Sequence, residues 1–416
     1  MRGIRRELEV FLGCSRRMQT LLLANMTYAL VLPVIEIFVA AYVMRNSQSV
    51  SKVVTYQLAL YVGTPVAFLV NGVLLGRIGV KRLYSAGMVL SGMSMMFLMR
   101  TGELTPVGIA TSGLAMGLAT GLFWANRGFL ALASTEDGNR NYYYGVETFA
   151  GTLSAVVVPA LIGWFIGGTL HFGWMGGNAN RAYRVIALSV FALTLVAASV
   201  LQRGTFRNPA HHQYIFFRFH PIWYRMLELA LLKGLAQGSI VTAPAMLVML
   251  LVGKEATLGA TQAIGGVVSA CVMYVVGRKT APHHREAVFS AALVLFFLGA
   301  AANAVLFNTA GVLVFLGCLV LSKPMLDLAY NPIEMGMIDA MAALEGRSEY
   351  AYFLNHEFAL FAGRFLGCIL FLAIDAWWSG VAALKFALPV VALVQLLSMR
   401  VAGRISSDLA RYGTGC

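Results

Sequence analysis

Charged side chains stand inside stretches of this chain that are otherwise apolar: Glu36, Arg127, Glu147, Lys233, Lys323, Asp327, Glu334, Glu357, Arg364 and Lys385. A charge at the centre of a bilayer costs at least ~2.5–3.5 kcal/mol on insertion scales, so such residues face a protein interior or a water-filled path and mark function. Arg127 and Glu147 close one candidate ion pair. Glu357 and Arg364, seven residues apart and so nearly on one helix face, form another. Such pairs either brace the protein or touch a solute. A buried pair adds little stability, but separating it leaves a charge uncompensated, which suits a gate that breaks and reforms. Asp327 either pairs with Lys323, one turn before it, or carries a proton. Glu36 has no opposite charge in its own segment and is expected in a cavity, as the second proton carrier. Burial makes a carboxyl group's hold on its proton depend on its surroundings. Glu334, Asp339, Glu228 and Lys385 stand near segment ends, where they are expected to cap or to reach the interface.

Polar and aromatic residues surround these charges. Asn25, Tyr28, Tyr61, Trp124, Asn126, Tyr330 and Asn331 are among them, and Lys233 and Gln237 lie one turn apart. Amide, carboxylate and aromatic groups together suit a sugar or another polar organic solute. Some of the aromatic residues belong instead to interfacial belts, as Trp223, Trp377 and Trp378 are expected to.

Helices in a membrane must hold these groups. The chain has 416 residues, 59% hydrophobic and only 12% charged, where soluble domains carry about 25% charged. Such a chain cannot cover a water-facing surface. A soluble enzyme, a nucleic-acid module and a secreted disulfide scaffold are excluded, and a polytopic, all-α membrane protein is left. Long apolar stretches run at 20–44, 53–76, 83–100, 105–132, 142–168, 182–201, 224–252, 257–277, 287–307, 309–339, 350–374 and 379–399, twelve expected transmembrane helices.

The net charge of +13 sorts by face. With the N-terminus inside, and residues at the ends of a segment counted with the connection beside it, 20 of the 31 Lys and Arg residues fall on inner segments, six on outer segments and five within spans. The positive-inside rule then places both termini in the cytoplasm, and no nucleic-acid partner is needed to explain the charge. Residues 1–18 mix Arg and Glu and are not expected to form a cleavable signal. The five cysteines are scattered without a CxxC pair, so no disulfide framework and no metal site is expected. His211–His212 and His283–His284 read as solvated loop residues. No phosphate-binding loop, nucleophile elbow or HExxH motif occurs, so no enzyme activity, no ATP drive and no cofactor are expected.

The longest internal polar connection, 202–222, divides the chain into 1–201 and 223–416, six spans each. A faint repeat links the halves. Aligning Glu147 with Glu357 also aligns Tyr142 with Tyr352, and Gly76-Arg77 rhymes with Gly277-Arg278. The connection after the second span reads Gly72-Val73-Leu74-Leu75-Gly76-Arg77-Ile78-Gly79-Val80-Lys81-Arg82. It resembles the signature G-x-L-a-D-R-x-G-x-K-R of the major facilitator superfamily (MFS). Gly72, Leu74, Arg77, Gly79, Lys81 and Arg82 match, while the signature's Asp is Gly76 here, so the inner latch this Asp helps to form in the superfamily is expected to differ.

The resemblance implies two six-helix bundles, a solute site near mid-membrane and alternating access by rocking of the halves. The chain is thus expected to be a secondary transporter of the cell membrane, in bacteria the inner membrane. Its expected partners are a small polar solute, sugar-like or zwitterionic, protons and the lipid bilayer, and it is expected to act as a monomer. An exporter of the same superfamily, a lipid flippase and a non-transporting sensor stay open as alternatives. The residues carrying the work are expected to be Glu36, Asn126, Arg127, Glu147, Lys233, Gln237, Lys323, Asp327, Asn331, Glu357 and Arg364. Gly72, Arg77, Gly79, Lys81 and Arg82 form the gating loop.

Overall fold

Apolar runs of 20 or more residues satisfy their backbone groups only within helices once water is excluded, and the computed structural model is helical accordingly. It describes residues 9–100, 104–135, 137–206, 208, 216–253, 255–279 and 284–411, and among these all regular structure is helix. The loop histidines His211, His212 and His283 lie outside the described residues. All twelve expected segments fall on helix.

The first segment is α1 (Arg16–Ala29), a π-helical turn (Val34–Phe38) and α2 (Val39–Ser47). Then follow α3 (Val50–Ile78), α4 (Val80–Arg100), α5 (Pro106–Ser134), α6 (Asp137–His171) and α7 (Ala179–Gln202). The seventh segment is α8 (Trp223–Ile240), α9 (Ala243–Leu247) and a second π-helical turn (Val248–Val252). The chain continues through α10 (Glu255–Lys279), α11 (Arg285–Leu306), α12 (Thr309–Glu345), α13 (Glu349–Trp377), α14 (Gly380–Gln395) and α15 (Leu397–Arg411). Side-chain caps start several of them: Thr105 accepts from the Gly108 N–H, Asn308 from Gly311 and Ser379 from Ala382. Gly346, at φ +61°, ends α12 in the left-handed conformation that glycine adopts without strain.

Eleven of these segments are long and apolar enough to cross a membrane; the remaining one, α4, is not. Its 21 residues would reach about 31 Å, the thickness of a bilayer's hydrocarbon core. Lys81, Arg82, Ser85, Ser91 and Ser94 lower its hydropathy. Inside the bundle this polarity has use: the Ser94 hydroxyl donates to the Ser112 carbonyl at 2.7 Å and Ser91 accepts from the Tyr28 hydroxyl at 3.0 Å.

The chain forms two compact units, residues 1–39 with 62–211 and residues 40–61 with 212–416. In the first, α4 packs between α5 and α7. A Cβ at Gly87 would meet the Ala119 carbonyl at 2.9 Å, and one at Gly92 would meet the Phe191 Cα at 3.0 Å, so only glycine lets these backbones approach. In the second, α8 lies against α13 through two glycine pairs. A Cβ at Gly234 would strike the Leu360 carbonyl and one at Gly363 the Leu231 carbonyl; Gly238 and Gly367 repeat the contact one turn on. This unit's core gathers Trp223, Tyr352, Phe289, Met337 and Ile405, with the Trp223 and Tyr352 rings edge to face at 4.9 Å.

The two halves share a feature the sequence repeat did not contain. The first and seventh segments both break where a proline follows: Pro33 cannot donate to the Ala29 carbonyl, nor Pro244 to that of Ile240. Each break leads into a five-residue π-helical turn, a feature frequent at functional sites. Burial also revises the repeat by one residue. Tyr143 and Tyr352 are fully buried, whereas Tyr142 is only half-buried, and aligning the two buried residues places His356, not Glu357, opposite Glu147. The sequence alignment followed the identical Glu residues, whereas the helix face that points inward sets the register.

Candidate functional site

In the second unit, α8, α12 and α13 bring four charges together. Lys233 Nζ lies 3.8 Å from Asp327 Oδ1, and Arg364 Nη1 lies 3.7 Å from Glu357 Oε2. The Arg364 Nε donates to Gln237 Oε1 at 2.8 Å. Tyr61 belongs to the same group: its hydroxyl donates to the Gln237 carbonyl at 3.2 Å, and the Arg364 guanidinium lies 5.4 Å from its ring centre. The Lys233 ammonium stands 3.6 Å from the ring centre of Tyr330. The close glycine contact of α8 with α13 puts Lys233 and Gln237 within reach of Arg364. All four charges are partly exposed, from 19% for Arg364 to 37% for Glu357. Charges so placed in membrane-spanning segments border water or a polar ligand rather than lipid tails.

Behind them lies a buried polar chain. The Tyr330 hydroxyl and His356 Nε2 are 2.7 Å apart, and His356 Nδ1 is 3.2 Å from Glu334 Oε1. All three residues are buried. His356 is not among the expected site residues, and the burial of Glu334 corrects its expected place as a cap or at the interface. His356 directly precedes Glu357, and neighbouring helical residues point about 100° apart. Glu357 therefore turns to the partly exposed charges and His356 inward. Nothing in the spacing marks His356, since its partners are on another helix.

The first unit holds a second network. Arg127 grips Glu147 with two parallel bonds, Nε to Oε1 at 3.0 Å and Nη2 to Oε2 at 2.5 Å. Asn25 Nδ2 donates to Glu147 Oε1 at 2.7 Å and to the Tyr143 hydroxyl at 3.0 Å, and accepts from Tyr84 at 2.8 Å. Arg127 also lies 5.2 Å from the centre of the Trp124 ring. Spans one, three, four and five are thus tied at one point.

The remaining expected residues are placed as follows. Asp327 pairs with Lys233 of α8, and Lys323 of its own helix is exposed. Glu36 is exposed in the first π-helical turn. Asn126 is buried and donates to Asn71 at 2.6 Å, away from the Arg127 network. Asn331 is exposed. Glu228 and Asp339 are exposed, and Lys385 lies beside the rings of Phe307 and Phe386.

In the gating loop, Arg77 and Arg82 are exposed and Gly72 has open space where a side chain would begin. Gly79 turns the chain at φ +85°. Lys81 Nζ donates to the carbonyls of Gln202 and Gly204, both at 3.0 Å, and Asn208 accepts from the Val80 N–H at 3.1 Å. The start of the central connection therefore holds the motif loop, where the signature's Asp is missing. Another ion pair unmarked in the sequence joins Arg45 to Glu255 at 2.6 Å, at the ends of α2 and α10. Among the described residues no three or more His, Cys, Asp or Glu side chains converge as a metal site would require.

No protein-family profile matches the sequence. An uncharacterised protein of Bacillus subtilis, YqgE, is 23% identical over 362 residues, 84% of this chain and 80% of its own. Among solved structures, the nucleoside transporter NupG superposes with a TM-score of 0.70 at 9% identity, over 94% of this chain and 99% of NupG. A bacterial homologue of the iron transporter ferroportin, in an inward-facing state, superposes with a TM-score of 0.67 at 18% identity, over the same shares. The fold is that of major-facilitator-type transporters, and the chain is a multi-pass membrane protein.

Proposed function

We propose that the protein is a secondary active transporter that moves a small polar organic solute by alternating access and draws on the proton gradient. The observation that carries this reading is the group of four partly exposed charges, Lys233, Asp327, Glu357 and Arg364, with Gln237 and Tyr61 beside them. Their separations of 3.8 and 3.7 Å are long for ion pairs. A solute bearing hydroxyl, amide or charged groups competes for such partners at little cost, because each side chain keeps an opposite charge when the solute leaves. Arg and Gln present planar donors and acceptors that suit such groups, and the Tyr61 and Tyr330 rings add flat apolar surface. The nucleoside transported by the structural neighbour NupG is of this chemical kind, polar with a flat ring. The broken first and seventh segments are further support, since interrupted helices in corresponding positions accompany binding sites in transporters. The excess of cations on alternate connections supports twelve crossings with both termini in the cytoplasm.

The test uses purified protein in liposomes under an imposed pH gradient, offered a panel of nucleosides, sugars and zwitterionic amino compounds. Accumulation of at least one solute, abolished by a protonophore, is expected. Arg364→Lys, which keeps the charge but loses the fork, is expected to lower uptake by roughly tenfold or more, equivalent to ~1.4 kcal/mol. A protein that moves no solute under any gradient is not a transporter of this class. Uptake indifferent to the gradient rejects the coupling and keeps the transport.

A further inference from the structure

Building on the proton-coupled reading, we propose that the chain Tyr330–His356–Glu334 is the proton-binding site of this protein and that it loads a single proton. The sequence pointed to Glu36 and Asp327, but Asp327 has Lys233 as its partner and Glu36 is exposed. The chain lies deeper, at 1%, 2% and 8% exposure for Tyr330, His356 and Glu334. It is held between α12 and α13, inside segments that are long and apolar enough to span a membrane.

Its geometry brings two buried proton acceptors together. His356 Nε2 already shares a hydrogen with the Tyr330 hydroxyl at 2.7 Å. Nδ1 lies 3.2 Å from Glu334 Oε1, yet makes no hydrogen bond in that direction. A buried ring nitrogen without a bond, facing a buried carboxyl oxygen, is an open seat. A proton arriving there binds to Nδ1 or to Oε1, and a small turn of either side chain then joins the two groups.

Charge balance fixes the number. The groups facing the chain are Lys233 from α8, Asp327 from α12, and Glu357 and Arg364 from α13. As ions they pair off as Lys233 with Asp327 and Arg364 with Glu357 and sum to zero. With neutral His356, the Glu334 carboxylate is then the one uncompensated charge of this group, and one proton cancels it. Neighbouring elements leave that sum unchanged. Glu255 of α10 is paired with Arg45, Lys385 of α14 lies beside Phe307, and Glu286 of α11 and Arg400 and Arg404 of α15 are exposed. A buried unpaired charge is costly, so the empty and loaded states differ sharply in how readily this part of the protein closes away from water.

The test is pH-difference infrared spectroscopy on the full-length protein in liposomes, with no solute added. Acidification of the wild type is expected to raise the carbonyl stretch of a protonated carboxyl group. Glu334→Gln is expected to lose that band, while Asp327→Asn and Glu357→Gln, which each free a cation to balance Glu334, are expected to keep it at a more acid midpoint. His356→Asn is expected to shift the band's midpoint by roughly tenfold or more in proton concentration. A band that survives in Glu334→Gln, a wild type with no such band, or a midpoint unmoved in His356→Asn each overturns the proposal. The His356 variant also decides the matter if Glu334→Gln fails to fold. Because no solute is involved, a protein that shows the band but transports nothing keeps this site and loses the transport reading. The opposite result keeps transport and loses the site.

Discussion

At the scale of single residues, the Arg127–Glu147 pair carries the most structure, since the bidentate grip and the bonds from Asn25 meet on one carboxylate. Removing the guanidinium leaves that carboxylate only 12% exposed and without its cation. Breaking a buried pair costs ~3–5 kcal/mol, and the lower end applies here because Arg127 is 30% exposed. Arg127→Ala is therefore expected to melt well below the wild type. Arg127→Ala with Glu147→Gln should recover part of the loss, because the orphaned charge is gone. Thermal melting of the four proteins of the double-mutant cycle measures this, and equal, additive losses would show that the two residues do not act as a pair. This pair was legible in the sequence, because a short connection returns span five beside span four. So was Glu357 with Arg364, from spacing alone. Asp327 was not, because Lys323 and Lys233 are equally good partners until the packing of α8 against α12 is known. Glu334 was misjudged for a related reason: distance from a segment's end says nothing about which face is buried.

At the scale of elements, helices in lipid gain little from apolar burial and associate through close van der Waals contact. The reciprocal contacts of Gly234 and Gly238 on α8 with Gly363 and Gly367 on α13 are the clearest case. An added methyl at Gly234 or Gly363 points at backbone, which cannot swing aside as a side chain can. Overpacking of this kind costs ~1–3 kcal/mol. Gly234→Ala and Gly363→Ala should each lower the melting temperature, and each should weaken solute uptake, because Lys233 and Gln237 move away from Arg364. Gly151→Ala on α6 is the matched control. Nothing lies within 4 Å of its added carbon, and alanine in a helix interior gains ~0.5–1 kcal/mol over glycine. If all three variants melt alike, the glycine contact does not hold α8 to α13. The sequence shows these glycines as small residues inside spans, but their pairing is a property of two helices together. The same limit hid the broken seventh segment: Pro244 was visible, while the π-helical turn after it depends on how the chain recovers its hydrogen bonds.

At the scale of the whole molecule, the number of membrane crossings turns on α4. Eleven segments have the length and hydropathy to cross, whereas α4 has the length and falls short in hydropathy. Its serines bond to neighbouring helices instead of lipid, and its Lys81 is tied to the backbone of the central connection. A helix surrounded by other helices needs less apolar surface than one that faces lipid on most sides. On that argument α4 is expected to cross, so that three crossings, α4, α5 and α6, separate Arg77 from Phe172. Both residues are exposed. With the native cysteines replaced, Arg77→Cys should react with a membrane-impermeant maleimide only from the cytoplasmic side. Phe172→Cys should react only from the opposite side. Labelling of intact cells and of inverted vesicles gives both readings for each site. Two sites labelled from one side would mean an even number of crossings between them, and α4 would then lie within one face of the membrane. The cation count points the same way as the packing: Arg77, Lys81 and Arg82 gather at one end of α4, and only Arg100 stands at the other. A helix lying in the interface has no reason to concentrate its cations at one end, whereas a crossing helix does.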